Sequence, residues 1–352
     1  MKNHNLSLGF EETYVSTHFK NKNAENSSLN TSSLTQSGYI YSFFIKDSWL
    51  IKNKWKFDTG FRYSYFDNLD KFYFEPRIAI IYRIKQNLSL ELSYGEHNQF
   101  IHKLGAENNS SFNVSSRFLS SPKTPIILSK NFQSGIRWSK DIYSFSTTFY
   151  FKNLDNFFKS TGSFSIEDYL TYSNKIVNPG YGKIRGLEIQ FRKKSGKITG
   201  WVSYHNNNTK YQILDFNEGK MFFADYDKSH ELKTVILGNI FNTNLSASWV
   251  FSSGRPFTSL ENLYVESGSG YEIFSRGDYN NKRVKSSHHL DISLVKSLEI
   301  SKVGIELGFS IYNLYNRKNI AHKRYNPFSR ELSIKDISMF GITPSIFTKI
   351  RF

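Results

Sequence analysis

The 352-residue sequence contains no cysteine, which excludes disulfide scaffolds and thiolate zinc sites. It also lacks long hydrophobic runs: the longest has about five residues, in "RIAIIYRI" (Arg77–Ile84), whereas a membrane-spanning helix needs roughly 20. No segment has a convincing helical period. The sequence motifs of zinc proteases, serine hydrolases and nucleotide-binding loops are missing too. We therefore predict a protein that is not an enzyme and binds neither a cofactor nor a metal.

Positive charge is in excess, with a formal net charge of +16. Such an excess is typical of nucleic-acid-binding proteins when the basic residues form dense blocks. Here Lys and Arg are spread along the chain, and the densest groups are short ones such as "RKK" (Arg192–Lys194). Strands that face water or anionic lipid explain this distribution better, so we predict no nucleic-acid partner.

The most prominent feature that the sequence does have is alternation of large apolar and polar residues. Aromatic residues make up 17% of the chain, and most are interleaved with polar ones. Alternation with a period of two is the pattern of a β-strand with one apolar face. It recurs along the whole chain, in Lys54–Phe66, Leu88–Tyr94, Asp141–Asn153, Arg185–Lys193 and Val303–Asn313.

The connections between these segments alternate between short and long. Tight polar turns such as "IKNKW" (Ile51–Trp55) and "FNTNL" (Phe241–Leu245) are followed by long polar stretches. Counted in this way, the chain has about 14 strands of around ten residues each, a length that suits strands crossing a membrane. The long polar stretches, which we predict to be loops, are Asn21–Gln36, Lys103–Pro125, Asn156–Asn174 and Gly254–Ser286.

Two architectures accommodate many alternating strands. A soluble β-sandwich uses strands of about 5–6 residues and buries its apolar faces between two sheets. A membrane barrel uses longer strands, turns its apolar face to lipid, and carries aromatic residues near both interfaces. The long aromatic-rich strands and the asymmetry of turns and loops favour the second. We therefore predict an all-β fold, an antiparallel transmembrane β-barrel.

Two polar clusters are candidates for chemistry. In "SSHHLDISL" (Ser286–Leu294) strand alternation separates the two histidines, so that only His289 shares a face with Asp291. A barrel-wall hydrolase built on this pair is one hypothesis, and ordinary polar residues facing water are the simpler one. The acidic groups at Glu11–Glu12 and in Phe222–Glu231 lack the spacing of a known calcium loop.

Several segments together resemble one family, the TonB-dependent outer-membrane receptors. In one motif of the family, Pro-Arg opens a strand, and after a turn the return strand leads to a loop with Gln and an aromatic residue. A second motif is a strand with the pattern "G-x-G-x-x-x-G-x-E". In a third, the sequence Ser-Gly-x-Pro ends a strand. Each motif alone is weak, but seven of them occur in the order of the family, from residue 74 to residue 352. They are Phe74–Leu104, Gly180–Tyr211, Asp225–Ile240, Trp249–Thr258, His288–Lys296, Ile311–Ile320 and the last strand.

The resemblance also implies a role for the last strand, "GITPSIFTKIRF" (Gly341–Phe352). In this family the C-terminal strand with its final aromatic residue is read by the barrel-assembly machinery, and the strand then closes the sheet. The residues that we expect to act in assembly and closure alternate along one side of the strand: Ile346, Thr348, Ile350 and Phe352.

The resemblance implies that this chain forms only part of a family barrel. Family members have roughly 22 strands and a plugged lumen. We expect residues 1–352 to be the C-terminal portion of such a barrel, without a signal peptide or a plug domain. Contact with the TonB complex would then run through a plug that this chain lacks.

For the complete receptor, the resemblance implies an outer-membrane location in a Gram-negative bacterium and TonB-energised uptake of a scarce nutrient such as a siderophore, a sugar or a peptide. The expected partners are outer-membrane lipid, lipopolysaccharide and an extracellular small molecule of unknown identity. A passive porin-like channel of about 14 strands is the alternative. We expect the substrate contacts in four loops: Lys103–Pro125, Asn156–Asn174, Phe216–Tyr226 and Ser259–Arg283.

Overall fold

A computed structural model describes the chain at residues 3–25, 28–105, 115–122, 124–160, 177–214, 216–265, 272–300, 303–325 and 334–352. Apart from single 3-10 turns at Asp67–Leu69 and Asn217–Gly219, its regular elements are strands. They are β1 (His4–Glu25), β2 (Ser28–Ile51), β3 (Trp55–Phe66), β4 (Lys71–Lys85), β5 (Leu88–Gln99), β6 (Ile101–Gly105), β7 (Ser115–Leu119), β8 (Ile127–Lys140), β9 (Tyr143–Ser160), β10 (Val177–Lys193), β11 (Ile198–Ile213), β12 (Phe222–Phe223), β13 (His230–Ile240), β14 (Thr243–Ser252), β15 (Pro256–Phe257), β16 (Leu260–Val265), β17 (Glu272–Arg276), β18 (Lys282–Arg283), β19 (Ser287–Ile300), β20 (Val303–Tyr312), β21 (Ile320–Tyr325), β22 (Ile334–Ser338) and β23 (Thr343–Arg351).

Fourteen strands form one continuous antiparallel meander, in the order β1-β2-β3-β4-β5-β8-β9-β10-β11-β13-β14-β19-β20-β23, and β12 adds to β11. The remaining strands form four short two-stranded sheets in the long connections. The predicted all-β antiparallel fold with about 14 wall strands is thus confirmed. Among the described residues β1 pairs with β2 and β23 pairs with β20, and the two edge strands do not pair with each other.

The alternation gives the sheet two chemically different faces. One of them, the apolar face, carries large side chains that are open to the surroundings, such as Leu8 (66% exposed) and Ile346 (81% exposed). Neighbouring strands stack rings on it, with the centroids of Trp55 and Tyr82 4.2 Å apart. Isolated exposed apolar residues are common, but a continuous face of them marks a surface that meets lipid or a partner.

The opposite face, the polar face, carries small and charged side chains. The hydroxyls of Ser42 and Ser64 lie 2.9 Å apart on it and are buried. Glu75 is also nearly buried there, and its carboxylate accepts a hydrogen bond from the backbone N–H of Asn98 at 2.6 Å. Buried polar groups are expected to be paired in this way.

The hydrophobic core lies at the long-loop end of the sheet rather than along its middle. One buried cluster, the hairpin cluster, contains Phe66, Leu119 and Ile126, and a second, the loop cluster, contains four residues that include Tyr211 and Phe222. Both lie where long connections fold back onto the polar face. Within the described part of the chain, no helix is long and apolar enough to cross a membrane.

Most of the predicted turns are confirmed. Lys52 and Asn53 adopt positive φ between β2 and β3, and Phe241 and Asn242 do so between β13 and β14, as two-residue hairpin turns require. The prediction of a long loop at residues 21–36 was wrong. This polar stretch continues β1 and β2 into a hairpin, because backbone pairing through Glu25 and Ser28 does not require apolar side chains.

Candidate functional site

The polar face carries a series of ion pairs from one side of the sheet to the other. Alternation places these groups on one face, and the strand register places the partners of three of the six pairs on neighbouring strands. The closest approaches are Arg62–Glu11 at 2.5 Å, Arg77–Glu75 at 3.0 Å, Arg137–Glu91 at 2.9 Å, His205–Glu188 at 3.2 Å, Lys233–Glu231 at 2.6 Å and Arg351–Glu306 at 2.8 Å. Both signs of charge therefore alternate along this surface.

A cavity of about 700 Å³ opens on the polar face between β1 and β8. Its charged lining includes Arg62, Arg77 and Asp58, and small residues such as Gly60 leave the space between them. A Cβ added at Gly60 would come within 2.5 Å of the Ile45 carbonyl oxygen, so glycine is required there for the strands to approach. The charges of its lining are paired within the wall, since Asp58 also has a partner, Lys56, at 2.7 Å.

The loop cluster is built from two connections that are distant in sequence. Phe222 packs in it against Tyr211 and against Tyr279, whose ring centroid lies 5.1 Å away. Asn217 clamps the second connection, because its amide oxygen accepts from the backbone N–H of Tyr279 at 2.5 Å and its amide nitrogen donates to the Tyr279 carbonyl at 3.2 Å. Packing and hydrogen bonds thus hold both connections over the wall.

Two aspartates of the acidic segment Phe222–Glu231 are used inside this cluster. Asp225 accepts hydrogen bonds from the hydroxyl of Tyr279 at 2.9 Å and from the amide of Asn280 at 2.6 Å. Asp227 is fully buried and pairs with Arg283 at 2.6 Å. Among the described residues no group of three or more acidic or histidine side chains could hold a metal ion.

The hairpin cluster fixes the connection between β5 and β8. The hairpin β6–β7 folds so that buried Leu119 packs near Phe66, and the backbone N–H of Leu119 donates to the Gln36 side chain at 3.1 Å. His102 is 2% exposed and lies 2.6 Å from the Ser120 hydroxyl in a hydrogen bond. Burial lowers the pKa of His102 to about 4, so the imidazole is neutral at neutral pH.

The four predicted substrate loops have different outcomes. Phe216–Tyr226 and the end of Ser259–Arg283 come together in the loop cluster, although residues 266–271 of the second lie outside the described residues. Lys103–Pro125 forms β6–β7 and packs near the first strands, with residues 106–114 and 123 outside the described part. The region 161–174 of Asn156–Asn174 also lies outside it. That these loops contact a substrate stays a prediction.

The histidine pair is separated as the alternation predicts. His289 Nε2 lies 3.4 Å from Asp291 on the polar face. His288 lies on the apolar face, tilted against the Trp249 ring, and forms a hydrogen bond with the Tyr315 hydroxyl at 2.6 Å. A serine hydrolase needs a hydroxyl bonded to the histidine. Within the described residues no serine or threonine hydroxyl bonds His289, and Asp291 instead accepts from the backbone of Asn313 at 2.8 Å.

Some residues of these clusters were not found from the sequence. Gln36 and His102 reach their partners only through the tertiary fold, and nothing in their local sequence indicates it. Asp227 and Arg283 lie within segments that the sequence marked as an acidic group and as a loop, but their pairing across 56 residues is not a local pattern. Loops with mixed polar chemistry carry no period from which contacts can be read.

The family model described as "TonB dependent receptor-like, beta-barrel" matches residues 2–314. The chain belongs to this family. Family members are receptors and transporters of the Gram-negative outer membrane. Among curated proteins, none matches the chain.

Solved TonB-dependent receptors share its fold at low identity. The ferric yersiniabactin uptake receptor FyuA from Yersinia pestis has a TM-score of 0.69 at 10% identity, and the match covers 100% of this chain and 52% of that receptor. The ferric-catecholate import receptor Fiu from E. coli K12 gives 0.63 at 10% identity, with 99% and 52% covered. The siderophore receptor PirA from Acinetobacter baumannii gives 0.59 at 11% identity, with 90% and 46% covered.

The chain thus spans about half the length of these receptors. At such identity the likeness establishes the fold of the wall and carries no information about the ligand. The polar face corresponds to the lumen side of a receptor barrel, and the apolar face to its outside.

Proposed function

We propose that residues 1–352 are the C-terminal part of a 22-stranded outer-membrane receptor that imports a scarce nutrient in a TonB-energised step. The observation that carries this proposal is the two-faced wall with ordered loops on the polar side. The apolar face meets lipid, the ion-paired face lines an aqueous lumen, and the loop cluster and hairpin cluster position a binding surface at one end. Among the described residues β1 and β23 each pair on one side only, and in the proposed receptor further wall strands would attach at these two edges.

The substrate that we propose is a ferric siderophore complex. The solved receptors of the same fold include proteins named for ferric yersiniabactin, ferric catecholates and ferric citrate. Exposed loop residues next to the loop cluster, such as Tyr226 (61% exposed), offer aromatic contact area to such a ligand. Lipid and lipopolysaccharide surround the wall, the barrel-assembly machinery inserts it, and TonB acts through a plug domain.

The experiment that tests this proposal is an uptake assay in the native organism. The gene is deleted, and cells are grown under iron limitation with single ferric siderophores as the iron source. We expect loss of growth on at least one of them, restoration by the intact gene, and the same loss when TonB is deleted. Uptake that is unchanged in the deletion strain would overturn the proposal, and uptake that persists without TonB would support a passive channel.

Conductance measurements distinguish the porin-like channel from the plugged receptor. A passive channel gives stable open pores when the native protein is inserted in a planar bilayer, whereas a plugged receptor stays closed. The ion pairs across the polar face are compatible with either lumen, so the proposal rests on the family and on the ordered loops. A hydrolase has no support from His289, which lacks a hydroxyl partner among the described residues.

A further inference from the structure

The short-turn end of the wall carries an unbalanced positive charge. Four neighbouring short turns connect the eight wall strands from β2 to β11. Taken with the strand residues beside them, these turns contain nine Lys and Arg residues against one acidic residue, Asp141. We call this surface, which consists of residues 51–55, 83–88, 139–143 and 192–198, the basic turn end. It holds half of the formal net charge of +16 that the whole chain carries.

Backbone hydrogen bonds join the four turns into one continuous surface. The N–H donors and their carbonyl acceptors are Arg83 and Lys54 at 2.8 Å, Ser139 and Asn87 at 2.9 Å, and Lys194 and Ile142 at 2.7 Å. Since neighbouring strands lie about 4.8 Å apart, the eight strands span an arc of about 34 Å. The charges therefore form a band along the rim of the wall rather than a compact pocket.

The protein does not neutralise this charge within its described residues. No ion pair there includes a cation of the basic turn end, and eight of the nine cations are exposed. Carboxylates further along the same strands have other partners, Asp58 with Lys56 at 2.7 Å and Glu91 with Arg137 at 2.9 Å. Because like charges along one rim repel each other, an anionic partner from outside the wall would stabilise it.

The geometry of a short turn does not require these cations. The next short turn of the wall, between β13 and β14, has positive φ at Phe241 and Asn242, as the first has at Lys52 and Asn53. Neither this turn nor the strand residues beside it are charged, in the sequence "NIFNTN" of residues 239–244. The positive charge is thus a local property of the four basic turns, and the fold alone does not explain it.

The basic turn end lies at the height of lipid headgroups. Trp55 and Tyr65, near the two ends of the apolar face of β3, are ten residues apart, which is about 33 Å along the strand. At a strand tilt of about 40°, this length covers about 25 Å of membrane, the height of the apolar band of a barrel. Lys54 directly precedes Trp55, and Arg83 directly follows Tyr82. The cations therefore begin where the apolar band ends, beside rings that are typical of an interface.

We propose that the basic turn end binds the headgroups of anionic phospholipids in the leaflet that it faces. Short turns hold their cations within the headgroup layer, and the attraction of each Lys or Arg to anionic lipid adds to that of the others. An arc of separate turns suits several lipids side by side better than one enclosed ligand. The inference rests on the proposed function, because it requires the apolar face to lie in a membrane. In the complete receptor, this leaflet is the one that faces the periplasm.

The test uses the native protein, extracted from the outer-membrane fraction in mild detergent, and two triple variants. The first variant changes one lysine in each of three basic turns, Lys54→Gln/Lys85→Gln/Lys140→Gln. The control variant removes the same charge at the loop end, Lys71→Gln/Lys318→Gln/Lys335→Gln. All six side chains are exposed and form no ion pair among the described residues, so both variants should fold. Folding is checked by the heat-dependent mobility shift in gel electrophoresis.

Lipid binding is measured by native mass spectrometry with phosphatidylglycerol and phosphatidylethanolamine that have the same acyl chains. We expect wild type to bind the anionic phosphatidylglycerol about tenfold more tightly, and the first variant to lose about tenfold in affinity for this lipid. The control variant should bind it as wild type does. Because salt screens exposed charges, the preference of wild type should decrease when ammonium acetate is raised from about 0.1 M to about 1 M.

Each other outcome overturns a stated part of the proposal. Equal binding of the two lipids by wild type, or a preference that salt does not weaken, overturns the site without reference to any variant. An equal loss in the control variant shows that total charge, and not the basic turn end, attracts the lipid. If the first variant instead loses binding to isolated peptidoglycan and keeps its lipid preference, phospholipid is not the partner. Absence of the wild-type protein from the outer-membrane fraction contradicts the proposed function itself, so the two failures are distinguishable.

Discussion

Arg283 reaches across 56 residues of sequence to Asp227, and its Nη2 lies 2.6 Å from the carboxylate Oδ2. Asp227 is fully buried and also accepts from the backbone N–H of Thr209 at 2.8 Å and from the Ser229 hydroxyl at 3.1 Å. The guanidinium stacks over the Phe223 ring at 4.4 Å. One ion pair thus joins the wall strand β11, the connection after it and the connection before β19.

The first prediction follows from this pair. Replacing Arg283 by Met leaves the buried Asp227 carboxylate without its cation, and breaking such a pair costs about 3 kcal/mol. We expect residues 216–227 to exchange their amide hydrogens faster by about two orders of magnitude, measured by mass spectrometry. The matched control is Lys282→Gln, at the adjacent exposed position, which should change nothing. Unchanged protection in Arg283→Met would contradict the clamp.

The second prediction concerns the pH dependence of the hairpin β6–β7. The pKa of His102 is lowered to about 4 by burial, below its ordinary value of 6.5. Below pH 6.5 the opened hairpin binds a proton that the closed one does not, so the closed form loses stability as the pH falls towards 4. The loss reaches about 3 kcal/mol. We expect hairpin amide protection, corrected for intrinsic exchange, to decrease between pH 7 and pH 5.

The control for this prediction is His102→Asn, which cannot titrate in this range. Its hairpin protection should be the same at pH 7 and pH 5. The amides of β13 and β14 in the wild-type protein should also be independent of pH over this interval, because they lie far from the hairpin in the sheet order. A pH effect that survives in His102→Asn would assign it to another group.

The wall was predictable from the sequence, and the loop end was not. Side chains alternate with a period of two residues in any extended strand, so segments such as Lys54–Phe66 reveal both the strand and its faces. The same rule separated His288 from His289 correctly. The polar stretch at residues 21–36 was misread, since strand pairing there uses the backbone and leaves no apolar period. The contacts of Gln36 and Arg283 depend on residues far away in sequence, which no local pattern encodes.

The third prediction tests the contact between the last two wall strands. Gly308 of β20 lies opposite Phe347 of β23, and a Cβ added at Gly308 would come within 2.0 Å of the phenyl ring. The ring covers the glycine in the native sheet. Gly308→Val would displace Phe347 and strain the pairing, at a cost of about 2 kcal/mol. We expect the Gly308→Val variant to change from folded to unfolded mobility in gel electrophoresis at a lower heating temperature than wild type.

Ser310→Val is the matched control for this substitution. Ser310 lies two residues further along β20 on the same face, and its partner is the small Ser345. Because no large side chain lies directly opposite, we expect the added methyl groups to be tolerated and the mobility shift to occur at the wild-type temperature. Equal behaviour of the Gly308 and Ser310 variants would show that the ring over Gly308 contributes nothing to the pairing.

The last prediction concerns assembly of the wall. The side chains of Ile346 and Ile350 lie on the apolar face of β23, opposite Phe309 and Ile305 of β20, and the terminal Phe352 is fully exposed to the surroundings. Contact between an exposed aromatic ring and water is unfavourable in free energy, so lipid or an assembly factor is expected to cover the ring. We expect deletion of Phe352 to reduce the folded, heat-modifiable protein in the outer membrane several-fold, measured by quantitative blotting. Phe352→Tyr keeps the ring and should assemble normally, and a deletion that assembles as well as wild type would remove the proposed role of the terminal aromatic residue.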